Sequence, residues 1–430
     1  MLDCFQGFRI LINRLLTNNY KLSTFNYKLL TSNLLSMKKL MIIGASVLQL
    51  PAIQKAKEMG LHVAVVDFNP QAIGIPYADK YYNASTMDEN AVLAAAEDYQ
   101  PDGIMTLATD MPMRGVAKVS ERLGLHSISY DTAVKATDKF EMIQAFKSHD
   151  VASPWFFTVD SLEELHGLES QLSYPCIMKP TDNAGSHGVV LAHRFEDLLE
   201  SYEYSHASAR HGRVILEEYL QGEEVSVEVM VVDGKVNILQ ITDKLTTGAP
   251  HFVEMGHSQP SRHPLETQQA IKDLAVQACK AVGINQGPAH VEMMVTKRGP
   301  VMIELGARMG GDNITTALVP LSTGIDMVKA TIDVALGNPP DIEPKCHCGS
   351  AIRYLDAPEG IIASITGVEE AKQMPNVKEV IMTKAVGDHS TQIHCSNDRI
   401  GSIITQAETA EKAVKACENA LKQLKIQIKY

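Results

Sequence analysis

AHVEMMVTKRGPVMIELGARMGGDN, residues 289–313, is two apolar runs separated by a short turn at Thr296-Lys297-Arg298-Gly299-Pro300. Runs of this length broken by Gly and Pro predict a β-hairpin. With the turn centred on Arg298, Glu292 and Glu304 stand at equal distances along the two strands and lie directly opposite each other. Opposed like charges destabilise a strand pair, so one carboxyl must protonate or both must share a cation. Magnesium resolves the conflict, because it is held by one or two hard oxygen ligands and completed by substrate phosphates. Taken alone, the pair also reads as one solvated glutamate or a register slipped by one residue. The run Gly306-Ala307-Arg308-Met309-Gly310-Gly311-Asp312 then sets Arg308 in a flexible segment past Glu304, where a cation can meet phosphate or an oxyanion.

The chain has 430 residues, enough for two or three domains with well-buried cores. Acidic residues outnumber basic ones, 51 against 39, for a formal net charge of −12, whereas a nucleic-acid binder more often shows a basic face. Seven scattered cysteines, an odd number, fit reduced thiols better than a disulfide framework. Cys346-His347-Cys348 is half of a metal site without a second ligand pair at zinc spacing, so it reads as a loop or strand edge. Residues 1–36 carry Arg9, Arg14, Lys21 and Lys28 against a single acid and no long apolar run. That is neither a secretory signal nor a membrane span. It is an organellar transit peptide or, as the better reading, a disordered upstream leader, because Met37-Lys38-Lys39-Leu40 leads straight into a strand. With no apolar stretch of about 18 residues, no membrane partner is expected and the cytoplasm is the expected location.

From Leu40 strands and helices alternate. Strands at 39–44, 62–67 and 103–109 with helices at 49–59 and 113–123 predict a parallel α/β unit over residues 37–131. Gly44-Ala45-Ser46 followed by Asp67 has the outline of a dinucleotide site, but the full G-x-G-x-x-G is absent and a plain βαβ turn is the better reading. A second unit, 132–213, holds a helix from Lys139 to Ser148 and Tyr174-Pro175-Cys176-Ile177-Met178-Lys179-Pro180, a strand ending in lysine. The following loop, through Gly185, Ser186, His187 and Gly188, lacks G-K-[ST] and leads into a strand, so it is not a Walker A loop. Its backbone N–H groups can still fold over phosphates beside Lys179, or form a structural hairpin turn. Residues 214–340 contain Glu217-Glu218-Tyr219-Leu220, a strand from Glu223, and the hairpin signal Asp233-Gly234. Residues 341–430 form a C-terminal α+β segment.

In this order the segments resemble the ATP-grasp superfamily from Met37 onward: an α/β pre-ATP domain with a Rossmann-like form, a lid subdomain, a catalytic subdomain and a C-terminal α+β subdomain. The resemblance implies that Lys139 and Lys179 contact the ATP phosphates and that the Gly185, Ser186, His187 and Gly188 loop closes over them. It implies that Glu217 meets the adenine amino group, with the Tyr219 and Leu220 backbone beside the ring, and that Glu224 holds the ribose. Glu292 and Glu304 would carry magnesium or manganese. Many members have Asn where this chain has Gly306, which leaves open the number of protein ligands to a second metal ion.

Within the superfamily the chain resembles the L-amino acid ligases, through His251-Phe252-Val253-Glu254-Met255-Gly256-His257 with Pro260, the run from Gly306 to Asp312, and Asp398-Arg399-Ile400-Gly401 before a helix at 409–424. That likeness implies that Glu254 and His257 meet the amino group of an amino-acid substrate; from the residues alone they also read as a polar hairpin loop. The reaction implied is amide formation between small-molecule carboxylate and amine substrates, with Lys179 and Arg308 catalytic. ATP first phosphorylates the carboxylate, Mg²⁺, Lys and Arg offset the repulsion between the two anions, and Arg308 stabilises the oxyanion. A homodimer is left open. Other readings stay open too: a carboxylase or ligase of the biotin carboxylase or purine-pathway type, a nicotinamide-dependent oxidoreductase, and a catalytically silent nucleotide-binding protein.

Overall fold

The computed structural model describes residues 37–182, 188–210, 213–249 and 251–429. The leader 1–36 and Gly185, Ser186 and His187 lie outside the described residues.

The N-terminal unit is built on β1 (Lys39–Ile43), β2 (His62–Asp67), β3 (Lys80–Asn83) and β4 (Gly103–Met105), a parallel sheet in the order β3-β2-β1-β4. Leu40 to Ile43 of β1 and Val63 to Val66 of β2 are apolar and fully buried because both faces of these central strands are covered. Leu40 and Ile42 pack with Ala52 and Ile53 of the helix Leu50–Glu58, while Met41 and Ile43 pack with Val92 and Val116 from the helices Glu89–Tyr99 and Met113–Leu123. At the Gly44 turn, Asp67 accepts the Ala45 and Asn69 N–H groups, both at 2.8 Å, so its carboxylate is committed to the local backbone.

β5 (Phe156–Val159), β6 (Cys176–Pro180), β7 (Val190–Ala192) and β8 (Val214–Glu218) form an antiparallel sheet in the order β5-β8-β6-β7. Leu165, Phe195, Leu198 and Tyr202 seal one face of it. The sequence sets β8 at the head of the following segment, and its hydrogen bonds place it in this sheet, between β5 and β6.

The largest sheet takes β9 (Glu223–Val232), β10 (Lys235–Thr246), β11 (Glu254–Gln259), β12 (Gly287–Thr296) and β13 (Gly299–Gly306), and continues into the C-terminal segment. With β14 (Gly349–Leu355), β16 (Val377–Met382) and β18 (Gly401–Ala407) its order is β13-β12-β9-β10-β11-β14-β18-β16. β15 (Gly360–Thr366), β17 (His389–Ser390) and β19 (Lys425–Lys429) make a small separate sheet. Strand periodicity divides the large sheet into two faces. Val225, Val227, Val229, Val291 and Met293 are fully buried in one core with Ile271, Ala275, Ala278 and Val282 of the helix Leu265–Val282. The alternate positions, Glu224, Ser226, Glu228, Thr242, Lys244, His290 and Glu292, give the opposite face an unusual density of charge.

The β12–β13 hairpin turns at Lys297-Arg298, half a residue from the expected centre, so Thr296 pairs with Gly299 and Met293 with Met302. A bulge at Ile303 then inserts one residue, and Glu292 pairs with Glu304 as the sequence predicts. Without that bulge Glu304 would point to the apolar face.

Candidate active site

Between the antiparallel sheet of β5 to β8 and the charged face of the large sheet lies a cavity of about 400 Å³. Its lining brings together Lys139, Lys179, Glu217, Tyr219, Leu220, Glu224, Glu254, His257, Glu292, Glu304 and Arg308, which the chain spreads over 170 positions. Gly188 is not among the lining residues. Its carbonyl accepts the Ser205 hydroxyl at 2.7 Å, and at φ +79° a Cβ there would stand 2.6 Å from Ser208 Cβ. It therefore anchors the end of the loop to the helix Phe195–Ser208.

One end of the cavity is a narrow slot. Lys179 and Glu217, both buried, form an ion pair of 2.5 Å, with Pro154, Ile177, Val189 and Leu220 as apolar walls. The Tyr219 and Phe252 rings, 6.2 Å apart, close it. A flat, apolar slot with a carboxylate and an ammonium at its edge suits a heterocycle that carries an amino group.

In the middle, Lys139 pairs with Glu304 at 3.1 Å and opens its helix behind an Asp138 cap that accepts the Phe140 and Glu141 N–H groups. The Lys139 charge beside it is the main reason Glu304 titrates below the usual carboxylate range. Arg308 grips Asp110 with two hydrogen bonds, 3.0 and 2.8 Å, across 198 positions of sequence. Burial works against the Arg308 charge, but Asp110 together with Glu292 and Glu304 outweighs it and raises its pKa. This pair accounts for Gly306: a Cβ at that position would meet Asp110 Oδ1 at 2.5 Å and the Arg308 guanidinium at 3.0 Å. An asparagine there would have to displace this pair.

Beside this pair the sequence reading missed a central group. Lys244, 2% exposed in its side chain, reaches Glu224, Glu292 at 3.2 Å and Glu254 at 3.5 Å, so one ammonium joins three carboxylates. Burial opposes its charge, yet the carboxylates raise its pKa well above the lysine range. Burial likewise opposes the Glu292 charge, but Lys244 and His290 hold it well below the carboxylate range, while burial pushes Glu224 up. The available signal was the alternation Gln240, Thr242, Lys244 on a strand facing Glu224, Ser226 and Glu228. His290 was missed too. It donates to fully buried Glu228 at 2.9 Å and to Glu292 at 2.9 Å, and despite burial these carboxylates raise its pKa to about 9.

Glu254 and His257 lie three apart, which puts them on opposite faces of a regular strand. A bulge at Met255, where Thr246 pairs with Glu254 but Leu245 with Gly256, returns both to the cavity face. His257 is 1% exposed, approaches Asp312 at 3.4 Å, and its Nδ1 is buried without a hydrogen-bond partner among the described residues. Asp312 is also held by Arg399 through two bonds, 2.8 and 2.9 Å, and Arg399 lies 3.7 Å over the Tyr354 ring. The C-terminal segment thus forms one wall.

Glu292 and Glu304 offer hard oxygens from directly opposed positions. Among the described residues no group of three or more His, Cys, Asp or Glu is arranged to hold a metal ion. That donor set fits magnesium or manganese whose remaining positions are filled by phosphate oxygens and water.

Residues 172–317 match the model of the ATP-grasp domain, and residues 353–429 match that of the L-amino acid ligase C-terminal domain 2. The chain is 30% identical over 266 residues to an alanine–anticapsin ligase of Bacillus subtilis, 56% of either protein, so the match spans about half of that relative. It is 22% identical over 397 residues to a formate-dependent phosphoribosylglycinamide formyltransferase of Saccharolobus solfataricus, covering 89% of this chain and 96% of the relative. The crystal structure of an L-amino acid ligase from Bacillus licheniformis superposes with a TM-score of 0.79 at 24% identity, over 91% of this chain and 99% of that one. No described helix is long and apolar enough to cross a membrane. Fold, cavity and both domain matches agree: the chain has the ATP-grasp fold, with an ATP-grasp domain at residues 172–317 and the L-amino acid ligase C-terminal domain 2 at residues 353–429.

Proposed function

We propose that this protein is an ATP-dependent carboxylate–amine ligase that activates an L-amino acid as an acyl phosphate and joins it to an amine, releasing ADP and phosphate. The observation that carries the proposal is the reach of Lys244, 3.5 Å from Glu254 and 3.2 Å from Glu292. A substrate ammonium held by Glu254 and His257 thereby has its own α-carboxylate beside the Glu292–Glu304 pair, where phosphoryl transfer would take place.

In this reading Glu217 accepts from the adenine amino group with the Tyr219 and Leu220 backbone at the ring, Glu224 holds the ribose, and Lys139 and Lys179 meet the phosphates. The loop through Gly185, Ser186, His187 and Gly188 excludes water from an intermediate that water would destroy. Glu292 and Glu304 would hold a divalent cation, which would neutralise phosphate charge. The substrate carboxylate oxygen attacks the γ-phosphorus and the bond to ADP breaks. The neutral amine then attacks the acyl carbon, and the C–O bond to phosphate breaks. Arg308, released in part from Asp110, stabilises the tetrahedral oxyanion and the departing phosphate. His290 and Glu228 keep Glu292 oriented, as a hydrogen-bonded outer shell does for a metal ligand.

A second reading, formation of a bond to a phosphoribosyl amine, is favoured by the long match to the formyltransferase. One screen separates the two: phosphate release from ATP and magnesium with pairs of L-amino acids, and with formate plus phosphoribosyl amines, followed by mass spectrometry of the products. Dipeptide or amide products from an L-amino acid are expected. Turnover confined to formate would replace the first reading with the second.

A further inference from the structure

A second cavity, about 270 Å³, shares a wall with the first: Lys139, Glu304, Arg308 and Asp110 line both. It lies where the N-terminal α/β unit meets the second unit, and Arg114 and Arg210 also line it. Its acids already have partners. Asp110 is gripped by Arg308, Glu304 pairs with Lys139, Glu89 accepts from Tyr130 and Lys118, and Asp182 accepts the Arg210 backbone N–H at 2.9 Å. The two arginines are not matched in the same way. Arg114 donates to the Thr137 hydroxyl at 2.7 Å and Arg210 contacts the Met111 sulfur, and neither makes an ion pair among the described residues. Two guanidinium groups without an ion-pair partner among the described residues, in a concave site whose carboxylates are held by other groups, are suited to a planar or tetrahedral oxyanion.

We infer that this cavity is an oxyanion subsite of the ligase, with Arg114 and Arg210 as its cationic partners. The inference rests on the proposed carboxylate–amine ligation, which supplies two candidate oxyanions. One is the α-carboxylate of an amine-donating amino acid, which stays unactivated while its amine reaches the acyl carbon at Arg308. The other is inorganic phosphate on its way out.

The test uses the full chain and the variants Arg114→Met and Arg210→Met, with thermal unfolding to confirm that each is folded. If the anion is the acceptor carboxylate, KM for an amino-acid acceptor rises about tenfold or more in each variant, as for loss of a charged hydrogen bond. KM for the same acceptor as its carboxamide then stays at the wild-type value. If the anion is phosphate, KM for the acceptor is unchanged, and inorganic phosphate with ADP and magnesium binds about tenfold or more weakly to the variants by titration calorimetry. Folded variants with unchanged acceptor KM and unchanged phosphate binding overturn the subsite. Should the wild type turn over no acid–amine pair, the ligase reading fails by itself, and the calorimetry with phosphate still decides the subsite.

Discussion

Lys244→Met removes the ammonium from three carboxylates while roughly keeping side-chain volume. Glu224 and Glu292 have only 19% and 17% of their side chains exposed, so water replaces the lost cation only in part. The cluster can escape by binding a proton. For a carboxyl with an ordinary value near 4.3 that costs about 2.7 pH units at pH 7, or about 3.7 kcal/mol at about 1.36 kcal/mol per unit. This sits inside the roughly 3–5 kcal/mol found when one partner of a buried ion pair is deleted. The pH dependence follows with a definite sign. The folded variant holds a proton that its unfolded chain gives up above the ordinary carboxyl range, so the variant gains stability as pH falls. In the wild type the depressed Glu292 contributes stability above that range and loses it as pH falls. The difference between the two proteins therefore shrinks to about 1.4 kcal/mol at about pH 5.3. Urea unfolding of both at the two pH values is the assay. A loss below about 1 kcal/mol at pH 7, or one that does not shrink in acid, would refute the reasoning.

Glu304→Gln weakens the opposed carboxylate pair and should lower turnover about a hundredfold or more; near-normal turnover at saturating magnesium would sink the clamp. Glu254→Ala should raise KM for the amino acid more than for ATP, whereas Arg308→Met should lower kcat with ATP binding retained. Parallel losses for both substrates in Glu254→Ala would defeat the amine-pocket assignment. Gly306→Asn forces a side chain into the Asp110 and Arg308 contact, with a cost of about 1–3 kcal/mol and a fall in kcat. Wild-type melting and turnover in that variant would show that the pair moves aside freely.

The hairpin, its two glutamates and the first parallel strands were legible because period, turn residues and β-branched runs are local signals. The opposition of Glu292 and Glu304 was read from a turn placed half a residue off, and it holds because the bulge at Ile303 makes up the difference. Neither that bulge nor the one at Met255 leaves a mark in the local sequence, since each depends on the neighbouring strand. Asp110 could not be found from sequence: it sits in a loop after β4 with no motif, and its partner is 198 residues away. Asp312 and Arg399 each stood in a stretch quoted for family resemblance, yet their pairing across 87 positions appears only when β14 and β18 extend the large sheet. Lys244 carried the faintest usable signal, a charged residue at an inward strand position, which is costly unless paired.

The acyl phosphate is the centre of the account, and oxygen transfer reports on it directly. An L-amino acid that turns over is labelled with ¹⁸O in its carboxylate and incubated with ATP, magnesium and its amine partner, and the phosphate and product are analysed by mass spectrometry. The account predicts one labelled oxygen in the inorganic phosphate and one retained in the amide, with ADP as the nucleotide product. Unlabelled phosphate, or AMP with pyrophosphate, would contradict it.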